Sequence, residues 1–293
     1  MHIPKTLIAV CTLALFAAAS ESPNRRPEWG IPFTESFVVR SSVEQREFEI
    51  MVALPRRYAE SDARYPVLYV LDANGIFPIA VETVRFLMFE PLREEPIVVG
   101  IGYPVGLYWN TLGHRFRDFT PTIDARKTQE VGAQFGFSSQ GSGGAEAFLR
   151  WLADELMPAV EARYRIDATR RALHGYSLGG LFATYVLFKQ PELFQSYLIG
   201  APGLWWDSAV GWKLEQAYAT AHTELRARVF LTVGKLDQPH VRIIEQLDKR
   251  FQSRKYAGLT WRTEYFENET HDSVIPLTLT RGLRWLYGDL SSN

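Results

Sequence analysis

Gly175-Tyr176-Ser177-Leu178-Gly179 sets one serine between two glycines. A short apolar run, Arg171–His174, precedes it, and Leu178, Leu181, Phe182 and Tyr185 follow at helical spacing. This is the layout of a nucleophile elbow, a sharp strand-to-helix turn that lifts one hydroxyl above a sheet. The turn holds the serine in a strained backbone conformation, so the residues two positions away must be small. The bare pattern arises by chance in about one chain in ten of this length, so its surroundings decide whether it carries chemistry. A serine hydroxyl attacks only beside a base, and a histidine base needs a partner to fix its tautomer.

The expected chain order is nucleophile, acid, histidine, with each group just beyond the carboxyl end of a strand. Asp237 meets that condition directly after the run Val229–Val233. His271 meets it across the polar turn 267–270 that follows Thr260–Phe266. Asp237 reads in two ways, as the residue that orients the imidazole or as the cap of the helix Val241–Lys255. Glu267, Glu269 and Asp272 are alternative acids, and a Ser–His pair without an acid is a further arrangement. Among the other histidines, His174 reads as a strand-end core residue and His222 as part of a polar helix. His240 stands too close to Asp237 in sequence to be the base of the same site, and His114 lies on a long loop, with substrate contact only its minor reading.

The oxyanion formed on attack needs preorganised donors. The Leu178 N–H, at a helix N-terminus, is one. The turn Asp72-Ala73-Asn74-Gly75 offers the other, with Asn74 N–H the choice. Arg115 and Arg117, interleaved with Phe116 and Phe119, read as substrate contacts, or Arg117 pairs with Asp118 and staples the loop. Trp205 and Trp206 must point in different directions, so Trp205 is assigned to the pocket and its neighbour to the layer beneath. No histidine–carboxylate cluster shows metal-ligand spacing in the sequence. There is no dinucleotide or phosphate loop, and no cofactor is expected.

Strands are expected at Phe37–Arg40, Phe48–Leu54, Tyr65–Asp72, Pro96–Ile101, Arg171–His174, Ser196–Ile199, Val229–Val233 and Thr260–Phe266. Helices are expected at Ile79–Phe89, Ala145–Tyr164 (kinked by Pro158), Leu178–Gln190, Ala209–Thr220, Val241–Lys255 and Val274–Tyr287. The alternation predicts a mostly parallel sheet with helices on both faces and antiparallel strands at its N-terminal edge. Between Gly102 and Gly144 the periodicity disappears, which reads as a long functional loop.

The 293 residues are 46% hydrophobic and 22% charged, with net charge −1. That balance suits a globular protein and gives no electrostatic reason to expect nucleic acid or an anionic membrane as partner. Residues 1–20 read as a secretory signal: Lys5 supplies a positive charge, Leu7–Ala19 an apolar run, and Ala17-Ala18-Ala19 the small residues for cleavage. An apolar run of about 13 is short of the ~20 that a spanning helix needs. Residues 21–35 read as a linker and 36–293 as one domain. The single cysteine, Cys11, falls in the signal, so the mature chain has no thiol chemistry. Export to the periplasm or outside the cell is the expected destination, with no membrane association after cleavage. The oligomeric state is open.

With these residues identified, the chain resembles the serine esterase family of α/β-hydrolases that includes esterase D, feruloyl esterases and siderophore esterases. The resemblance spans roughly residues 30 to 290. Leu71-Asp72-Ala73-Asn74-Gly75-Ile76-Phe77, Arg117-Asp118-Phe119-Thr120-Pro121 and Gly144-Ala145-Glu146-Ala147-Phe148-Leu149 carry it, as do the serine turn, Leu204-Trp205-Trp206 and His271-Asp272-Ser273-Val274. It departs at Ala73, where many relatives have glycine. The resemblance implies an α/β-hydrolase fold and hydrolysis of a small carboxylic ester through an acyl-enzyme on Ser177, with siderophore lactones among the candidate substrates. Some siderophore esterases work without a well-placed acid, so Asp237 is the member of the set that the resemblance supports least. Two other readings compete: a binding protein that keeps a hydrolase fold without catalysis, and a serine peptidase.

Overall fold

Tyr65–Val70 and Ile97–Gly102 are apolar at almost every position, the pattern of strands covered on both faces. The computed structural model describes residues 30–89 and 94–288. The signal reading and most of the linker reading lie outside the described residues. The chain divides into the units Met1–Pro32 and Phe33–Asn293, and the second contains everything below.

Its strands are β1 (Thr34–Arg40), β2 (Glu47–Ala53), β3 (Tyr65–Val70), β4 (Ile97–Gly102), β5 (Ile166–Tyr176), β6 (Ser196–Gly200), β7 (Glu224–Gly234) and β8 (Ala257–Phe266). They form one sheet in the order β1-β2-β4-β3-β5-β6-β7-β8. β1–β2 and β2–β4 pair antiparallel, and all other neighbours pair parallel. The helices are α1 (Ala73–Leu87), α2 (Tyr108–Asp118), α3 (Ala125–Phe135), α4 (Ala145–Trp151), α5 (Met157–Arg163), α6 (Leu178–Lys189), α7 (Trp206–Ala221), α8 (Gln238–Arg254) and α9 (Ile275–Tyr287). This is the expected α/β-hydrolase architecture.

The strand order explains where a site can form. The crossover from β3 through α1 to β4 runs one way along the sheet, and those from β5 onward run the other way. Right-handed crossovers therefore put α1 on one face and α6 and α8 on the other. α1 packs with α9, while ring contacts join α4 to α6 (Phe148–Phe182, 5.0 Å) and α6 to α8 (Phe188–Phe251, 6.4 Å). Between β3 and β5 the direction reverses, leaving a crevice beyond their carboxyl ends. α6 is buried from Leu178 to Phe188, which is why it is apolar all round.

Three local expectations are corrected. The stretch 102–144 carries two helices, α2 and α3. The buried face of α2 includes Thr111, Arg115 and Asp118 beside Leu112 and Phe116, and such polar core positions erase an apolar period. α1 starts at Ala73, so the supposed turn 72–75 is the helix entry, with Asp72 left-handed at φ 57°. A π-helical segment, Leu152–Leu156, leads into Pro158, whose missing N–H suits an irregular turn. Among the described residues no helix is long and apolar enough to cross a membrane.

Candidate active site

Ser177 sits between β5 and α6 at φ 57° and ψ −114°, a conformation a non-glycine residue holds only under constraint. The constraint is visible. Ser177 N–H donates to Gly200 O at 2.9 Å, and its carbonyl accepts from Leu181 and Gly203, each at 2.9 Å. A Cβ at Gly175 would lie 2.1 Å from Gly179 O, so only glycine fits there; at Gly179 the nearest atom, Asp72 Oδ2, would be 3.1 Å away. Small-residue clearance is thus absolute on the strand side and looser on the helix side. Leu178 is the first residue of α6, so its N–H has no carbonyl partner within the helix.

His271 follows β8, and Asp237 follows β7. The two loops are tied together: Lys235 N–H donates to Phe266 O and Leu236 N–H to Glu269 O, each at 2.9 Å. His271 Nδ1 lies 2.6 Å from Asp237 Oδ2. Asp237 does stand at the N-cap position of α8, but its side chain makes no capping bond. Its other oxygen, Oδ1, lies 2.9 Å from His240 Nδ1. Burial alone would raise the Asp237 carboxyl; the hydrogen bonds from His240 and His271 outweigh it and hold the group far below the usual carboxylate range. With Asp237 ionised, His271 Nδ1 carries the proton and Nε2 is left as the basic atom. Tyr176 completes the frame, because its hydroxyl donates to the His271 carbonyl and so braces the histidine loop against the serine turn.

Ser177, Leu178 and His271 line a cavity of about 540 Å³ at the strand-reversal crevice. Its walls are mostly apolar and aromatic, with Ile79, Trp109, Leu112, Phe135 and Ile275 among them, and Arg115, Trp205, Lys127 and His240 add polar atoms. Trp205 is 39% exposed, whereas Trp206 is fully buried with its indole N–H on Thr122 O at 3.1 Å. Lys127 Nζ lies 5.6 Å from the Trp205 ring centre.

Other expected residues are placed differently. Arg115 borders the cavity, but its guanidinium is committed to Asp72, with Nε–Oδ1 at 2.7 Å and Nη2–Oδ2 at 2.9 Å. It also reaches Tyr176 O at 3.4 Å. Arg115 therefore joins α2, the α1 entry and the serine turn instead of offering a free cation. Arg117 is off the cavity wall; it pairs with Glu44 and, at 3.1 Å, with Asp118, so the staple reading describes it. Asn74 also lies off the wall, its side chain holding Tyr103 N–H and O and Gly106 O at 2.8–2.9 Å. That clamp ties the α1 entry to the turn after β4.

Among the remaining histidines, His174 is wholly buried with neither ring nitrogen partnered, and burial lowers it to about 4. His114 stacks on Tyr103 at 5.0 Å and His222 on Tyr218 at 4.4 Å, both away from the cavity wall. His240, set aside as a base, joins the site as a second partner of Asp237. Its ring centre is 4.6 Å from that of His271. The three-residue step from Asp237, read as too close, is one helical turn, which brings both side chains onto one face. The donor atoms of Asp237, His240 and His271 lie within 4.8 Å of one another, a cluster that could hold a metal ion and that sequence spacing did not disclose. Both carboxylate oxygens and both Nδ1 atoms are here engaged with each other.

A family model described as "Putative esterase" matches residues 41–273. The ferri-bacillibactin esterase BesA of Bacillus subtilis is 32% identical over 265 residues, covering 87% of this chain and 90% of that protein. A siderophore triacetylfusarinine C esterase of Aspergillus fumigatus is 26% identical over 292 residues, covering 88% and 94%. Among solved structures, the BES protein from Bacillus cereus superposes with a TM-score of 0.78 at 30% identity, covering 88% of this chain and 96% of that one. Sheet topology, serine turn and sequence likeness agree, and the chain belongs to this esterase family.

Proposed function

We propose that the protein is a serine-dependent carboxylic ester hydrolase that works through an acyl-enzyme on small esters, siderophore lactones being the class that its named relatives suggest. The observation that carries the reading is the 2.6 Å contact between His271 Nδ1 and Asp237 Oδ2, made on two loops bonded to each other beside the cavity that Ser177 lines.

Ser177 Oγ attacks the ester carbonyl carbon while His271 Nε2 accepts its proton. The Leu178 N–H and an N–H of the α1 entry receive the oxyanion; both sit in helix first turns, where unpaired donors and the helix dipole favour negative charge. Collapse breaks the bond to the leaving oxygen, and His271 returns the proton to release an alcohol. Water then repeats the sequence on the acyl-enzyme. Asp237 holds the imidazole in one tautomer throughout. The apolar walls accept the acyl or alcohol portion. The signal-like residues 1–20 support an exported location for this activity.

A fluorophosphonate probe tests the reading. It is expected to label the wild type covalently and to leave Ser177→Ala unlabelled; a binding protein would take no label. Short acyl esters, feruloyl esters, siderophore trilactones and peptide anilides, assayed together, separate an esterase from a peptidase and identify its substrate class. Cleavage of anilides in preference to every ester would overturn the proposal.

A further inference from the structure

The Asp237 carboxylate has two imidazole partners, and the hydrolytic mechanism uses only one. His240 donates to the other carboxylate oxygen: Nδ1 lies 2.9 Å from Oδ1, while His271 Nδ1 lies 2.6 Å from Oδ2. The far nitrogen of His240, Nε2, lies 3.3 Å from the Trp205 indole Nε1. An indole N–H can only donate. Nε2 must therefore present its lone pair, so His240 is neutral with its proton on Nδ1, the tautomer that donates to Asp237. A continuous set of directed hydrogen bonds then runs from a tryptophan on the cavity wall, through His240 and Asp237, to the base.

We infer that His240 is a positioning residue, and that Trp205 selects the His240 tautomer which holds the Asp237 carboxylate at His271. The inference rests on the esterase reading of Ser177 and His271. With each of its oxygens held by a separate imidazole, Asp237 is kept from rotating away from His271 to cap α8, the alternative open to an aspartate at that position. His240 and Asp237 side chains are 13% and 8% exposed, so water competes poorly for these bonds. The titratable groups around His240 are Asp237 at the N-cap of its own helix, His271 and Asp272 from the β8–α9 loop, and Lys127 of α3 across the Trp205 indole.

Four variants test this by steady-state kinetics on a p-nitrophenyl ester, with thermal melts alongside. His240→Asn keeps an amide N–H near the Nδ1 position and is expected to retain kcat within a few-fold. His240→Gln moves that donor towards the Nε2 position. It and His240→Phe are expected to lose about 10- to 100-fold in kcat at nearly constant KM, the range one hydrogen bond to a charged group carries. Trp205→Phe removes the donor that selects the Nδ1-protonated tautomer, so kcat is expected to fall several-fold. Nitrogen-15 NMR of the wild type is expected to show His240 as the Nδ1-protonated neutral tautomer at pH 7.

Equal loss in the Asn and Gln variants would mean a merely structural residue, and full kcat in His240→Phe would mean none at all; either result overturns the inference, as does the Nε2-protonated tautomer. Fluorophosphonate labelling of Ser177 separates the two claims. A wild type that takes no label refutes the esterase reading, whereas unchanged labelling rates in His240→Gln and His240→Phe refute the His240 role alone.

Discussion

Gly234→Ala is a single methyl group placed where the Asp237 and His271 loops meet. Gly234 ends β7, three residues before Asp237, and an added Cβ would lie 2.4 Å from Glu269 O and 2.7 Å from Thr270 O. Both obstacles are backbone atoms of the loop that carries His271. Real Cβ contacts begin at 3.0 Å and are ordinary from 3.4 Å, so that loop must retreat by about 0.6–1.0 Å (3.0 or 3.4 minus 2.4). Gly234 is not among the glycines with positive φ, so alanine meets no backbone penalty of its own. The retreat acts on the 2.6 Å Asp237–His271 contact and on the Leu236–Glu269 bond beside it. A displacement of about 1 Å in a reacting constellation costs up to about 100-fold in rate, and overpacking of this kind costs about 1–3 kcal/mol in stability. The expected result is a folded enzyme with kcat down about 10- to 100-fold, KM changed little and a lowered melting temperature. Ester hydrolysis under saturating substrate and a melt monitored by circular dichroism measure both. Undiminished kcat in a variant whose melting temperature has dropped would refute the claim that close approach of these loops sets the base.

Ser177→Gly and Ser177→Ala should both be inactive, but the glycine variant should be the more stable by about 1–2 kcal/mol, because φ 57° and ψ −114° suit glycine and part of the relief is offset by its larger chain entropy; paired thermal melts decide this. His174 is held neutral, near 4, by burial, so the unfolded chain binds its proton more readily. Its folded value lies below its unfolded value, so stability is present above about 6.5 and is lost as pH falls towards 4, a loss of about 3 kcal/mol over that window. His174→Leu should flatten that acid limb in denaturant titrations at pH 7 and 4.5; an unchanged limb would show that another group dominates. Arg115→Leu leaves Asp72 buried without its cation and should cost about 3–5 kcal/mol, most of it recovered by adding Asp72→Asn; an additive loss in the double variant would count against the pairing.

Much of this molecule was legible without coordinates. The strands that carry Ser177, Asp237 and His271 announce themselves as apolar runs ending in turns, and the order of those turns along the chain places all three residues at one sheet edge. Residue type and short-range spacing suffice for that, because backbone sterics and the period of burial are local properties. Cavity-wall position for Trp205 and burial for Trp206 follow from the same kind of rule.

Contacts between loops are another matter. Whether Asp237 caps α8 or faces His271 depends on bonds between the β7 and β8 loops, more than 30 residues apart, and both roles require the same aspartate. Arg115 and Arg117 look alike on paper. Asp72 claims one, while Glu44 and Asp118 claim the other, and the distant partners, Asp72 and Glu44, are brought to α2 only by the folding of the α1 entry and the β1–β2 turn against it. His240 was set aside as a base for its closeness to Asp237, and its contact with that carboxylate is a partnership that spacing alone did not disclose. Local sequence specifies which elements form and which way their ends face; burial in the assembled core decides which charges meet, since only there does the cost of an unpaired group single out one arrangement.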